Sequence, residues 1–193
     1  MHSCRKEGGL TDPERVIQKF KESIDASIAT VSLNVVVMGP NLQEDSDAGR
    51  LRKRLIRAAK DYGAAIQPEH RGLARASRSR LGEGHHLTAL EMHLVKVSDL
   101  VVLIPDSPGS MCELGLFSFH QESARKMLIL VNAEYPRRGT YVADGPLAQA
   151  GQNGSTIEYV DYRDLEACWA LVRSRIEQIR GQKSLRMMAG GSE

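Results

Sequence analysis

Apolar residues fall along this chain in short unbroken runs, separated by longer stretches in which they recur with helical spacing. The runs LNVVVM (33–38), LVVLI (100–104) and MLILV (127–131) show no polar alternation, the pattern of strands buried on both faces of a parallel sheet. Two shorter runs, AAI at 64–66 and TIEYV at 156–160, bring the total to about five strands. Between them, Asp47–Tyr62 carries Leu51, Leu55 and Ala59 on one face and stops at Gly63, and Leu87–Val97 forms a further helix. Asp164 caps a helix to about Arg180 whose Leu165, Cys168, Trp169, Val172 and Ile176 make one stripe. This alternation predicts an α/β, flavodoxin-like three-layer sandwich, with a parallel sheet in the order 2-1-3-4-5 and helices on both faces.

The two ends read differently from the middle. Thr11 and Glu14 have capping-box spacing with Pro13 between them, so a helix is expected from about Asp12 to Ala29, with Val16, Phe20 and Ile24 on the face that packs on the domain or on a partner. The expected organisation is an appended helix over 1–30, the α/β domain over 31–182 and a flexible tail over 183–193.

Composition narrows the function classes. At 193 residues and 41% hydrophobic content, the chain has room for one well-buried domain and little for two. A net charge of +2 demands neither nucleic acid nor membrane. No apolar run reaches membrane-spanning length and MHSCRKEGG lacks a signal-peptide core, so a cytoplasmic protein without a membrane partner is expected. Cys4, Cys112 and Cys168 fit neither a disulfide framework nor a zinc site. His85, His86 and His93 have no carboxylate or thiol at a familiar ligand spacing, so no metal is expected. Cys112 reads as a small buried helix residue in preference to a thiol nucleophile.

Candidate chemistry concentrates in SDLVVLIPDSPGSMCELGLFSF, residues 98–119. A buried strand runs into Asp106, Ser107, Pro108, Gly109 and Ser110, a small-residue turn suited to a sugar or phosphate at a helix N-terminus. Glu113 is expected in the first turn of that helix, ionised under the dipole, with Gly115 leaving space beside it. The first strand ends in Gly39 and Pro40, which opens a loop at the carboxyl edge of the sheet, on the other side of the topological switch point. Asn132 ends the fourth strand. Glu69, His70 and Arg71 are expected at the same edge. The polar stretch after them holds Arg75, Arg78 and Arg80, which read equally well as phosphate contacts or as a solvated surface. Arg50, Arg52, Lys53, Arg54 and Arg57 read as a solvated helix face, and YPRRGTYVADGPLAQAG (135–151) as a surface loop or short helix over the site.

The stretch EMHLVKVSDLVVLIPDSPGSMCELG, followed by KMLILV, resembles the core of the nucleoside 2-deoxyribosyltransferases and their relatives in bacterial defence. Glu91 stands eight positions before Asp99, Asp106 follows the central strand and Glu113 lies in an E-L-G motif, as the family's acidic residues do. The S-P-G-S-x-x-E-L-G-x-F form is closer to the deoxyribosyltransferase-like toxin effectors of retron systems, and the likeness spans roughly residues 33 to 132. Two departures, a short loop without a second carboxylate and the lack of the usual tyrosine after the first strand, argue against base exchange more than against cleavage of an N-glycosidic bond.

The resemblance implies that Glu113 attacks C1′ of a ribosyl or deoxyribosyl group, as the carboxylate nucleophile of a retaining glycosidase does. Glu91 or Asp106 would protonate a departing purine. Gly39, Pro40, Ser107, Pro108, Gly109, Ser110, His70, Arg71 and Asn132 are the substrate-binding candidates. NAD or a purine nucleotide would be substrate, with no cofactor. A homo-oligomer is implied, with a regulatory protein or a nucleic acid of a defence system as partner. Three readings stand together: an N-glycosidase toxin, a salvage deoxyribosyltransferase, and a nucleotide sensor of the same architecture that breaks no bond.

Overall fold

The computed structural model describes residues 13–69 and 87–190. Residues Ser32–Ile179 form one unit. In chain order this unit contains β1 (Leu33–Met38), α2 (Asp47–Ala59) with a 3₁₀ turn at Lys60–Tyr62, β2 (Gly63–Ile66), α3 (Leu87–Val97) and β3 (Leu100–Leu103). It continues through α4 (Pro108–Ser118), α5 (Gln121–Ala124), β4 (Met127–Asn132), a π-helical turn at Ala143–Leu147, α6 (Ala148–Gln152) and β5 (Thr156–Val160) to the start of α7 (Leu165–Met188). All four pairings are parallel and the order is β2-β1-β3-β4-β5, as the sequence predicts.

The period of two along each strand divides the core between the two faces of the sheet. Val36, Met38, Val101, Leu103, Ile129 and Val131 pack with Leu94 and Val95 of α3 and Leu114 and Phe117 of α4. On α2, Leu51 and Leu55 are fully buried, as are Cys168, Val172 and Ile176 on α7. Ser46 caps α2 by accepting from the Gly49 N–H at 3.1 Å, and Asp164 Oδ1 accepts from Ala167 N–H at 2.9 Å at the start of α7. Tyr162 is buried and donates its hydroxyl to the Leu130 carbonyl at 2.8 Å.

The carboxyl ends of the strands are staggered. β2 pairs with β1 only from Leu33 to Val36, whereas β3 pairs as far as Met38, and Ile104 N–H then donates to Met38 O at 3.0 Å. On its β2 side, therefore, β1 outlasts its neighbour.

The second unit comprises α1 (Pro13–Ala29) and the chain from Arg180 onward. Within it, Arg180 donates to Ala29 O at 2.6 Å and Val31 O at 3.0 Å. No residue of α1 is buried, and Val16 and Phe20, on the face expected to pack on the domain or on a partner, are exposed. The terminal helix also differs from expectation, running past Arg180 to Met188, through residues read as tail. Gly181 is tolerated inside it because Gln182, Lys183, Leu185, Arg186 and the following methionines are good helix formers.

Candidate active site

Ser107 is the N-cap of α4 and Pro108 its first helical residue. The two loop hydroxyls are consumed in building this start. Ser107 Oγ accepts from Ser110 N–H at 3.2 Å, while the buried Ser110 Oγ accepts from the N–H groups of Asp106 at 3.0 Å and Ser107 at 2.9 Å. Ser107 and Ser110 thus shape the turn. Asn132 does the same after β4, its Oδ1 accepting from Glu134 N–H at 3.0 Å.

With Ser107 as cap, Glu113 falls in the second turn of α4, not the first, beyond the effective reach of the dipole. Its surroundings favour the protonated form, against the expected ionised group. Desolvation, and after it the Glu91 carboxylate, pushes the Glu113 carboxyl up to about 8, with Glu69 acting in the same direction and Arg52 against them. Its Oε2 is buried and meets no hydrogen-bond partner among the described residues. Glu91 is also raised, by desolvation first and then by Glu69.

Glu91 and Glu113 share a cavity of about 350 Å³, lined also by Thr88, Gly109, Cys112 and Leu116. All six residues belong to α3 or α4. The sequence reading puts the pocket in the crevice between the Gly39 and Asp106 loops, and of these two loops Gly109 is the described residue that lines the cavity. A Cβ built on Gly39 would stand 3.1 Å from Ile104 Cβ and 3.4 Å from Arg52 Cδ. The 135–151 segment, expected over the site, instead buries Leu147 and Ala150 in the core with α4 and lines none of this cavity. Cys112, expected to be buried, is exposed.

Asp106 is exposed and lies in a different electrostatic neighbourhood. Its carboxyl is raised by desolvation, then by Glu44 and Asp47. His70, Arg71, Arg75, Arg78, Arg80, His85 and His86 lie outside the described residues. Among the described residues, no group of three or more His, Cys, Asp or Glu side chains is placed to hold a metal ion.

The main residue missing from the sequence reading is Arg52. Far from being solvated, it is 1% exposed. Its Nε and Nη2 donate to Val37 O at 3.2 and 3.0 Å, and Nη1 donates to Gly39 O at 3.0 Å and Pro40 O at 2.8 Å. A bidentate pair to Glu69 at 2.6 and 2.8 Å completes the set. These carbonyls lie where β1 has outlasted β2, so the guanidinium takes the place of a strand. A signal was available: Ala48, Arg52, Leu55 and Ala59 are spaced as one helix face, and all four are buried. Arg54 departs from the solvated reading as well, bonding to Glu166 at 3.0 Å and lying 5.9 Å from the Trp169 ring.

The sequence pattern of the STM3845 retron effector protein family matches residues 49–191, a span that takes in Arg52, Glu69, Glu91, Asp106 and Glu113. The chain belongs to that family. It is 36% identical over 67 residues to the Escherichia coli protein named "Retron Ec86 putative ribosyltransferase/DNA-binding protein", a match covering 34% of this chain and 22% of the relative. It is 24% identical over 90 residues to the counterpart of the same description from retron Ec73 of E. coli, covering 46% of this chain and 28% of the relative. The retron effector is thus matched to only about a quarter of the length of these relatives. Among its described residues, no helix is long and apolar enough to cross a membrane.

Proposed function

We propose that this retron effector is an N-glycosidase of the deoxyribosyltransferase-like kind, which cleaves the bond between C1′ and the base of NAD or of a purine nucleotide. The observation that carries the reading is the Glu91–Glu113 pair in one cavity, with the environment driving their proton affinities up. Two carboxyl groups facing one reacting carbon are the apparatus of a retaining glycosidase. The names of the E. coli relatives support ribosyl chemistry.

In the reaction, ionised Glu113 attacks C1′ through an oxocarbenium-like transition state. The C1′–N bond breaks with its electron pair going to the base, and a ribosyl ester of Glu113 forms. Protonated Glu91 supplies a proton to a purine; nicotinamide leaves neutral from a cationic ring and needs none. Water then attacks C1′ and frees Glu113, its proton going to the Glu91 carboxylate where that group has been the acid and to solvent where nicotinamide has left. Ser107, Pro108, Gly109 and Ser110 hold the ribose side of the substrate through the shape of their turn, and Gly39, Pro40 and Asn132 border it. The activity is that of a defence toxin restrained by a partner protein or nucleic acid. Assembly as a homo-oligomer belongs to the same proposal.

The test is incubation of the purified protein and of Glu113→Gln with NAD and a panel of nucleosides and nucleotides, followed by mass spectrometry of released bases. Release by the parent alone supports the glycosidase and names its substrate. Saturable nucleotide binding without release points to a sensor, and release only when a free base is added points to a transferase.

A further inference from the structure

We propose that the Glu113 cavity takes its substrate in one orientation, with the sugar hydroxyls at Thr88 and Gly109 and the base against Leu116. The assignment rests on the glycosidase reading of Glu113 and adds Thr88 and Leu116 as determinants of its specificity.

Helical spacing decides the layout. On α4 the lining residues Gly109, Cys112, Glu113 and Leu116 fall at i, i+3, i+4 and i+7, one continuous face, and on α3 Thr88 and Glu91 fall at i and i+3. Both helices lie on the same face of the sheet, where Leu94 and Val95 of α3 share a core cluster with Leu114 and Phe117 of α4. Each leads the chain back towards the start of a parallel strand, α3 to β3 and α4 through α5 to β4, so the two run in the same direction. Their N-terminal turns therefore stand at the same end of the cavity. At a rise of 1.5 Å per residue, Thr88 lies about 4.5 Å before Glu91 along its helix axis and Gly109 about 6 Å before Glu113, while Leu116 lies about 4.5 Å beyond Glu113.

The two ends differ in chemistry. Thr88 is exposed, and its hydroxyl has no hydrogen-bond partner among the described residues. The Ser107 and Ser110 hydroxyls are, by contrast, spent on the turn. Gly109 has no positive φ, and a Cβ built on it meets nothing within 4 Å. Neither backbone nor packing calls for glycine there, and its bare backbone keeps that end of the cavity open. Leu116, at the other end, is partly buried against the core cluster and offers only methyl groups to the cavity. A sugar is ringed with hydroxyls that need partners, whereas a base has two flat faces that pack on apolar side chains. The hydroxyls therefore belong at Thr88, the base at Leu116, and C1′ between the two carboxyls.

The test is an NMR titration of the Glu113→Gln protein, which leaves its probes intact, with a nucleotide, its free base and ribose 5-phosphate. The nucleotide is adenosine 5′-monophosphate or nicotinamide mononucleotide, whichever binds more tightly. Adding Thr88→Val, which removes the hydroxyl and keeps the shape, should weaken nucleotide and ribose 5-phosphate about tenfold and leave the base unchanged. Thr88→Ser should retain both. Leu116→Ala should weaken nucleotide and base about tenfold and spare ribose 5-phosphate. If Leu116→Ala does not fold, Leu116→Val, which trims one methylene, should show the same selectivity at about threefold. Equal weakening of all three probes in folded variants, unchanged affinities, a crossed pattern, or no binding of any probe overturns the orientation. Base release by the parent is measured alongside. If the parent releases none while the selective pattern holds, the catalytic reading of Glu113 falls and the oriented binding site stands.

Discussion

Arg52 and Glu69 form a bidentate ion pair at 2.6 and 2.8 Å in which one partner is fully buried and the other half exposed. The pair joins the end of β1 to the loop after β2, and Glu113 of α4 feels both of its charges.

Release of nicotinamide, which needs no proton from Glu91, should climb with pH. Glu113 is held up to about 8, so the ionised nucleophile is scarce at pH 6 and abundant at pH 9. Below pH 8 the rate should rise about tenfold per pH unit where the nucleophile limits it. A pH profile of kcat/KM measures the limb, and a rate that is flat from pH 6 to 9 would speak against Glu113.

The same proton affinity makes a stability prediction. The folded-state value lies above the ordinary 4.5, so folding favours the protonated form, and the parent loses stability as pH rises from about 4.5 through about 8. Glu113→Gln has no such loss. It should match the parent near pH 4 and exceed it at pH 9 by on the order of 2 kcal/mol, read by denaturant unfolding at both pH values.

Glu91→Gln and Asp106→Asn should separate. Glu91 shares the cavity with Glu113 and raises its proton affinity; Asp106 responds to Glu44 and Asp47 instead. Removing the Glu91 charge should lower the pH at which Glu113 ionises and slow release of purines more than of nicotinamide. Asp106→Asn should leave the pH limb in place. Parallel pH profiles with two substrates check both statements.

Cys112 is exposed and lines the cavity, whereas Cys168 is buried, with burial raising its thiol to about 11. Maleimide treatment followed by peptide mapping should label Cys112 before Cys168, and saturating ligand should slow the labelling. Labelling of Cys112 should also block base release.

Gly63→Ala should be among the most damaging substitutions in the sheet. Gly63 has φ +143, and a Cβ there would collide with the Leu33 carbonyl across the β1–β2 pair. A loss of about 3 kcal/mol is expected in chemical denaturation.

The fold was legible because buried parallel strands write themselves as apolar runs, and LNVVVM, LVVL and MLILVN are all strands. Glu91 and Glu113 were legible as motif positions, and the structure brings them together. Charge and exposure were harder to read. Arg52 sits among Arg50, Lys53, Arg54 and Arg57, and only helical phase separates it from solvated neighbours. Ser107 and Ser110 also cap the backbone at the start of α4, a task the sequence does not separate from sugar binding because both use the same hydroxyls. Cys112 stands just before the buried Leu114, where a shift of two positions along a helix changes the face.

The ends of β1 and β3 meet where Ile104 N–H donates to Met38 O, and every described residue that lines the Glu113 cavity comes from α3 or α4. Among the described residues the cavity is a jaw, with one carboxyl on each arm. Its bite depends on the spacing of two helices whose outer faces are open to other molecules. A change in the spacing of these helices would therefore alter the distance between the two carboxyls without anything entering the pocket.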